Sequence, residues 1–310
     1  MNLSFKKIAT SALAVFFCGT LHFSGTVSAA PSEADLAAFR EAMLTPAKPD
    51  HRIFREQIIF FMPTLKADLD FQAGTKKKDE IRMAGSLDGV GTDEKGHTTP
   101  FHIPFYLDQS QKDMTLYFQF GPAWMKFSTP TVSATAVDIA ANPEPEELEQ
   151  EVAMIKDVKV LKESDTQRTM FVTMDGNKLA DWLIENKDKN ATEKEKSDPQ
   201  AEQFFQYILQ GLKESDIQYV WSIDKQDWQT IALALNLSGF VQSTAKAALM
   251  DPQANLEPAT KEILESLAYY SELKAYTTFL EPHDNSLIDI PKEVIKGAQP
   301  VGDLFATPKK

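Results

Sequence analysis

The stretch FHIPFYLDQSQKDMTLYFQFGPAWMKFST, residues 101–129, decides the fold class. Phe101, Ile103, Phe105 and Leu107 alternate with His102, Pro104, Tyr106 and Asp108. After a polar turn at Asp108 to Lys112, Met114, Leu116, Phe118 and Phe120 alternate with Asp113, Thr115, Tyr117 and Gln119. Gly121-Pro122 is a second turn, and Trp124 to Thr129 reads as a third strand. A period of two sends successive side chains to opposite faces, so each strand has one buried and one wet face. Such strands belong in an antiparallel sheet, because parallel sheets are covered on both sides.

Working outward, the same period recurs upstream. Leu65, Ala67, Leu69 and Phe71 alternate with Lys66, Asp68 and Asp70, and Ile81, Met83, Gly85 and Leu87 form another set. Ala73-Gly74-Thr75 and Asp88-Gly89 read as the turns between them. Before these strands, Ser32 caps a short helix over 33–44, with Leu36, Phe39, Met43 and Leu44 as its apolar stripe, and Pro46 and Pro49 follow it.

Downstream, the acidic run 142–151 reads as a linker or the start of a helix. Strands are predicted over roughly 155–162 and 166–174, and a helix over 178–186. A charged loop covers 185–200. Phe204, Phe205, Ile208 and Leu212 share one face of a helix over 201–212, which Gly211 is placed to end. Ile217, Tyr219, Trp221 and Ile223 then pair with Ile231, Leu233, Leu235 and Leu237 in a hairpin that turns at Asp224 to Asp227. Residues 241–268 read as largely helical, 272–281 as the last strand, and the tail carries Ile288, Ile290 and Pro291. The order is α+β: an incomplete antiparallel β-barrel, or curved sheet, with helices packed on its concave face.

The N-terminus reads as a secretory signal peptide, residues 1–29. Lys6 and Lys7 precede a short apolar core, Ile8 to Phe17, and Val27-Ser28-Ala29 is a small-residue cleavage site. Cys18 follows Phe17 rather than the small residue that precedes a lipidated cysteine, and reads as part of the apolar core. It is the only cysteine, so the exported chain has neither a disulfide nor a thiolate nucleophile. Removing the leader takes the net charge from -13 to -15. That charge disfavours nucleic acid and anionic membrane surfaces. Localisation is expected to be periplasmic or extracellular, as a monomer with no transmembrane segment.

The search for chemistry returns little. His51, His97, His102 and His283 match no metal-ligand spacing, and the acidic turn at Asp88, Thr92, Asp93 and Glu94 is not an EF-hand loop. There is no GxSxG elbow, P-loop or Rossmann fingerprint. With 45 acidic residues, no carboxylate pair is distinctive. No catalytic residue, metal or cofactor is expected. What stands out is apolar: Phe101, Phe105, Phe118 and Phe120 on one strand face, with Trp124, Trp182, Trp221 and Trp228 on or beside strands and helices. A curved sheet roofed by a few helices leaves room for an apolar groove.

Three segments carry a resemblance. FYLDQSQKDMTLYFQFGPAWMKFSTP (105–130), VTMDGNKLADWL (172–183) and IQYVWSIDKQDWQTIALALNLSG (217–239) resemble the strand-turn-strand, strand-turn-helix and late hairpin of the lipoprotein-carrier superfamily (LolA/LppX-like). The ending IDIPKEVIKGAQP, residues 288–300, is similar in style. The resemblance implies a half-barrel domain over 55–310, preceded by an N-terminal helix and linker at 30–54. It also implies a non-catalytic carrier of lipid or lipidated protein. The expected groove lining is Phe101, Phe105, Phe118, Phe120, Trp124 and Trp221. The alternative is an envelope interaction protein with a filled core and protein partners, and a third is a hydrolase with carboxylates that sequence does not pair.

Overall fold

The structure, a computed structural model, describes residues 32–45, 53–77, 80–93, 95–109, 113–130, 145–190, 199–254, 256–280 and 285–301. The leader and residues 110–112 and 191–198, parts of the predicted turn and loop, lie outside them.

Helix α1 (Glu33–Leu44) begins at Ser32, whose hydroxyl accepts the Asp35 N–H at 3.0 Å. Six strands follow: β1 (Ile53–Met62), β2 (Leu65–Lys77), β3 (Glu80–Thr92), β4 (Thr98–Gln109), β5 (Asp113–Phe120) and β6 (Ala123–Pro130). Then come α2 (Pro145–Ala153), β7 (Ile155–Glu163), β8 (Gln167–Met174), α3 (Gly176–Asn190), α4 (Pro199–Glu214), β9 (Ile217–Asp224) and β10 (Thr230–Asn236). Helices α5 (Ser238–Met250) and α6 (Pro258–Tyr270) lead into β11 (Glu272–Leu280). A 3-10 turn (Asn285–Ile288), α7 (Lys292–Gly297) and β12 (Gln299–Pro300) complete the order.

All twelve strands form one open sheet in the order β12-β6-β5-β4-β3-β2-β1-β11-β10-β9-β8-β7. Every pairing is antiparallel except β12 on β6. Two meanders, β1–β6 and β7–β10, are joined by β11. The fold is therefore α+β with an open curved sheet, as the alternation implies.

Several local expectations are corrected. Ala73-Gly74-Thr75 and Asp88-Gly89 are not turns but lie inside β2 and β3, which run on to 77 and 92. Strand β1 carries no simple alternation in IFREQIIFFM, because apolar residues stand on both of its faces: Ile53 is buried near Ile288 of the C-terminal segment, while Ile58 faces the helix side. Helix α4 does not stop at Gly211. A Cβ there would collide with Thr244 Oγ1, so the glycine is where α4 and α5 cross closely. Helix α3 runs on to Asn190 and α4 starts at Pro199, which shortens the expected loop. Residues 241–268 divide into two helices around Pro252 and Pro258, and β11, the last long strand in the chain, lies in the middle of the sheet. Pro100 and Pro104 are tolerated in β4 because they fall where it pairs with β3 alone, its ladder with β5 beginning at Phe105.

Helix α1 is fixed to the β7–β8 hairpin by Arg168, which is only 7% exposed. Its guanidinium donates to Glu163 (2.8 and 3.1 Å), to Glu41 (2.9 Å) and to the Ala38 carbonyl (2.8 Å). It also lies 5.8 Å from the ring of Trp228, the one described non-glycine residue with positive φ, at 61°. Hydrogen bonding from Arg168, with Lys225 assisting, holds the Glu163 carboxyl down to about 2 against an ordinary 4.5. A depressed folded-state value stabilises the fold above the unfolded value, and that stabilisation is lost as pH falls through the folded one. Glu163→Gln is therefore expected to lower the thermal midpoint at neutral pH. The gap to wild type closes as pH falls from about 4.5 toward 2. Melting curves across that range check it, and a gap independent of pH contradicts it.

Candidate functional site

Directly paired residues of antiparallel strands share a face, so the register assigns every side chain. One face is apolar from β8 to β6. It carries Met170 and Val172, then Tyr219 and Trp221, Leu235, Ala275, Ile58, Leu69, Leu87, Ile103, and finally Leu116 with Phe127. The opposite face is polar in the first meander. There Arg55 pairs with Asp70, Gln57 with Asp68 (2.8 Å), Arg82 with Asp108 (3.2 Å) and His102 with Asp88 (2.6 Å). The Asp88 carboxyl is held below its usual range by the hydrogen bonds of Ser86 and then His102.

The two halves of the apolar face differ in what covers them. Over β7–β11 the core is filled: Phe39 and Ala42 of α1, Val152 of α2, Ala180 of α3, and Leu209 and Leu212 of α4 close on the strand side chains. A second cluster lies across β1–β5. Phe71, Ala73, Met83 and Leu107 are buried there, with Phe54, Leu69 and Phe105 among the partly buried residues packed on them. All residues of this second cluster come from strands, and Ile58 adjoins both clusters. Beyond it on the same face, Leu87, Phe101, Ile103 and Phe118 are half-exposed.

Two glycines let this surface curl. Gly85 pairs with Phe71 on one side and Phe105 on the other, and the two rings meet across it with centroids 6.2 Å apart. A Cβ at Gly85 would collide with the Asp70 carbonyl oxygen and sit 2.5 Å from Phe71 Cβ. A Cβ at Gly89 would collide with Lys66 O and the ring of Phe101. Glycine kinks beneath aromatic rings are how sheets bend sharply. Gly85→Ala is expected to cost about 3 kcal/mol, at the upper end for overpacking, because the neighbour is backbone and cannot swing aside. A denaturant midpoint unchanged by Gly85→Ala would contradict this close approach.

The structure sorts the expected lining. Phe101, Phe105 and Phe118 share the apolar face, with Phe105 directly opposite Phe118. Phe120 shares that face but ends its strand 64% exposed. Trp124 is on the other face. It pairs with Gln119 and packs at a tilt against Tyr106 with ring centroids 5.5 Å apart, beside Ile290, Val294 and Ala298 of the C-terminal segment. Trp221 is on the apolar face but in the filled half, 5.9 Å from Phe39 and donating to Thr230 Oγ1 at 3.1 Å. Neither tryptophan borders the strand-only surface. Alternation within residues 101–129 separates Trp124 from Phe118, but only the pairing of β9 with β8 and β10 puts Trp221 beneath α1.

One residue of this face gives no sign of itself in the sequence. Glu56 on β1 lies between Phe54 and Ile58 along the strand, and pairs with Phe71 of β2 and Thr277 of β11. It accepts a hydrogen bond from the Thr277 hydroxyl. Burial pushes its carboxyl above the usual range, against a smaller opposing effect of that hydrogen bond. Along a strand with no clear alternation, a glutamate reads as an outward residue.

Among the described residues, no group of three or more His, Cys, Asp or Glu side chains is placed to hold a metal ion. No described helix is long and apolar enough to cross a membrane. No family model matches the sequence, and no curated protein matches it. Among solved structures, the crystal structure of LprF from Mycobacterium bovis overlaps 85% of this chain and 99% of its own, with 9% identity and a TM-score of 0.37. A likeness at that level assigns neither family nor ligand.

Proposed function

We propose that this chain is an exported binding or carrier protein for an apolar ligand, a lipid or a lipidated protein, held on the apolar face of β1–β5. The observation that carries the reading is the second cluster: large apolar side chains, several half-exposed, packed among the described residues by other strands where the neighbouring half is roofed by helices. Contiguous apolar surface of this kind is uncommon on a protein without a partner for it. Each buried methylene contributes about 0.8 kcal/mol, so a sixteen-carbon chain gains on the order of 10 kcal/mol before ordering costs. Binding of that strength asks for no reactive group. The leader-like first 29 residues support export.

The test uses the neutral dye N-phenyl-1-naphthylamine. The folded chain, residues 30–310, is expected to brighten it, and a long-chain phospholipid or fatty acid to displace it. A cooperatively folded protein that leaves the dye dark rejects the reading in favour of a filled core with a protein partner.

A further inference from the structure

Glu56 is the one ionisable side chain on the apolar face between residues 54–62 of β1, 65–73 of β2, 81–91 of β3, 101–109 of β4, 114–120 of β5 and 273–279 of β11. Around it stand Phe54, Phe71 and Phe279, with Phe54 6.5 Å from Phe71 and 5.9 Å from Phe279. A carboxylate in such surroundings is costly unless a countercharge or several hydrogen bonds compensate it. The described chain supplies one hydroxyl, Thr277, and no cation that moves its titration. The opposite face treats its acids differently: Asp70 and Asp108 are paired with Arg55 and Arg82. A leucine or glutamine at position 56 would serve a purely hydrocarbon ligand better.

We propose that Glu56 is the head-group anchor of the apolar surface and selects amphiphiles that carry a primary ammonium. The ligand then brings the missing positive charge. Its chain runs along the phenylalanines of β2–β5 while its ammonium sits between β1 and β11, bonded to Glu56. In a site of low effective dielectric such a pair is worth more than in water. The net charge of the protein also favours a cation over an anion on approach. This assignment rests on the function proposed above.

Three probes of equal chain length separate the possibilities: dodecylammonium, dodecanol and dodecanoate, each below its micelle concentration, displacing the neutral dye from the chain of residues 30–310. Wild type is expected to bind the ammonium at least about tenfold more tightly than the alcohol, and the carboxylate more weakly than either. Glu56→Gln, nearly isosteric, is expected to bring ammonium and alcohol within about twofold, chiefly by weakening the ammonium. Equal binding of ammonium and alcohol by wild type, tighter binding of the carboxylate, or an ammonium preference that survives in Glu56→Gln overturns the anchor and leaves the groove standing. If none of the three binds, the groove itself is rejected and the anchor with it.

Discussion

Replacing Phe101 and Phe118 together by lysine is expected to weaken binding of an apolar ligand by about 100-fold or more. Both rings lie half-exposed on the strand-only surface, one on β4 and one on β5. Burying a phenylalanine is worth about 1.5–3 kcal/mol, and each 1.4 kcal/mol is a factor of ten, so losing two contacts removes at least about 3 kcal/mol. The sheet survives, because neither side chain belongs to the buried set and a lysine stem lies along apolar surface with its ammonium in water. Trp124→Lys is the matched control. It introduces one lysine one position from the end of the β5–β6 ladder, on the opposite face against Tyr106. It is expected to cost stability and leave binding within about twofold. Loss of binding in the control, or its retention in the double variant with an intact fold, would show that the phenylalanines are not the contact surface.

Phe39→Ala is expected to cost about 3–5 kcal/mol, the usual range for emptying a buried aromatic site. Phe39 is fully buried and meets Trp221 edge-on. It is the apolar plug of α1, a twelve-residue helix too short to persist unless docked. The remaining ties are the smaller contacts of Ala42, Leu36 and Met43 and the hydrogen bonds of Arg168 to Glu41 and the Ala38 carbonyl and of the Val160 N–H to Asp35. Those ties do not replace the ring, whereas Phe39→Leu keeps much of the volume and recovers most of the loss. The expected readout is a thermal midpoint lower by roughly 10 °C, from about 2–4 °C per kcal/mol for a domain of this size. Accelerated proteolysis between residues 32 and 45 accompanies it. A midpoint within a degree or two of wild type would mean that α1 is not part of the core.

Most of the fold was legible because most strands have one dry and one wet face. Residues 101–129 and the hairpin of Ile217 to Leu237 could be read from alternation alone. What sequence does not show is a strand with apolar residues on both faces, or a bend. Strand β1 has apolar residues on both faces and shows no period, so sequence does not mark it as the centre of the sheet or place β11 beside it. Gly89 follows the spelling of a turn and Gly85 sits unremarked in an alternating strand, yet both serve the curl of β3, since only pairing shows Phe71, Phe105 and Phe101 closing over them. The candidate site was partly legible for the same reason. Phe101, Phe105 and Phe118 sit on one face by simple counting. Trp221 shares the apolar face, but sequence does not tell which part of a continuous face the helices cover. Glu56 was missed because its apolar setting is assembled from β2 and β11, 15 and 221 residues away in register.

The central claim is that the apolar face of β1–β5 holds a ligand. Native mass spectrometry of residues 30–310, purified gently from a membrane-containing lysate, tests it most directly. The account predicts a species heavier than the protein by the mass of one lipid or amphiphile, released on denaturation and lost in the Phe101→Lys/Phe118→Lys variant. A bare protein mass that stays bare after incubation with phospholipid vesicles would contradict it, and would make the second cluster an ordinary core.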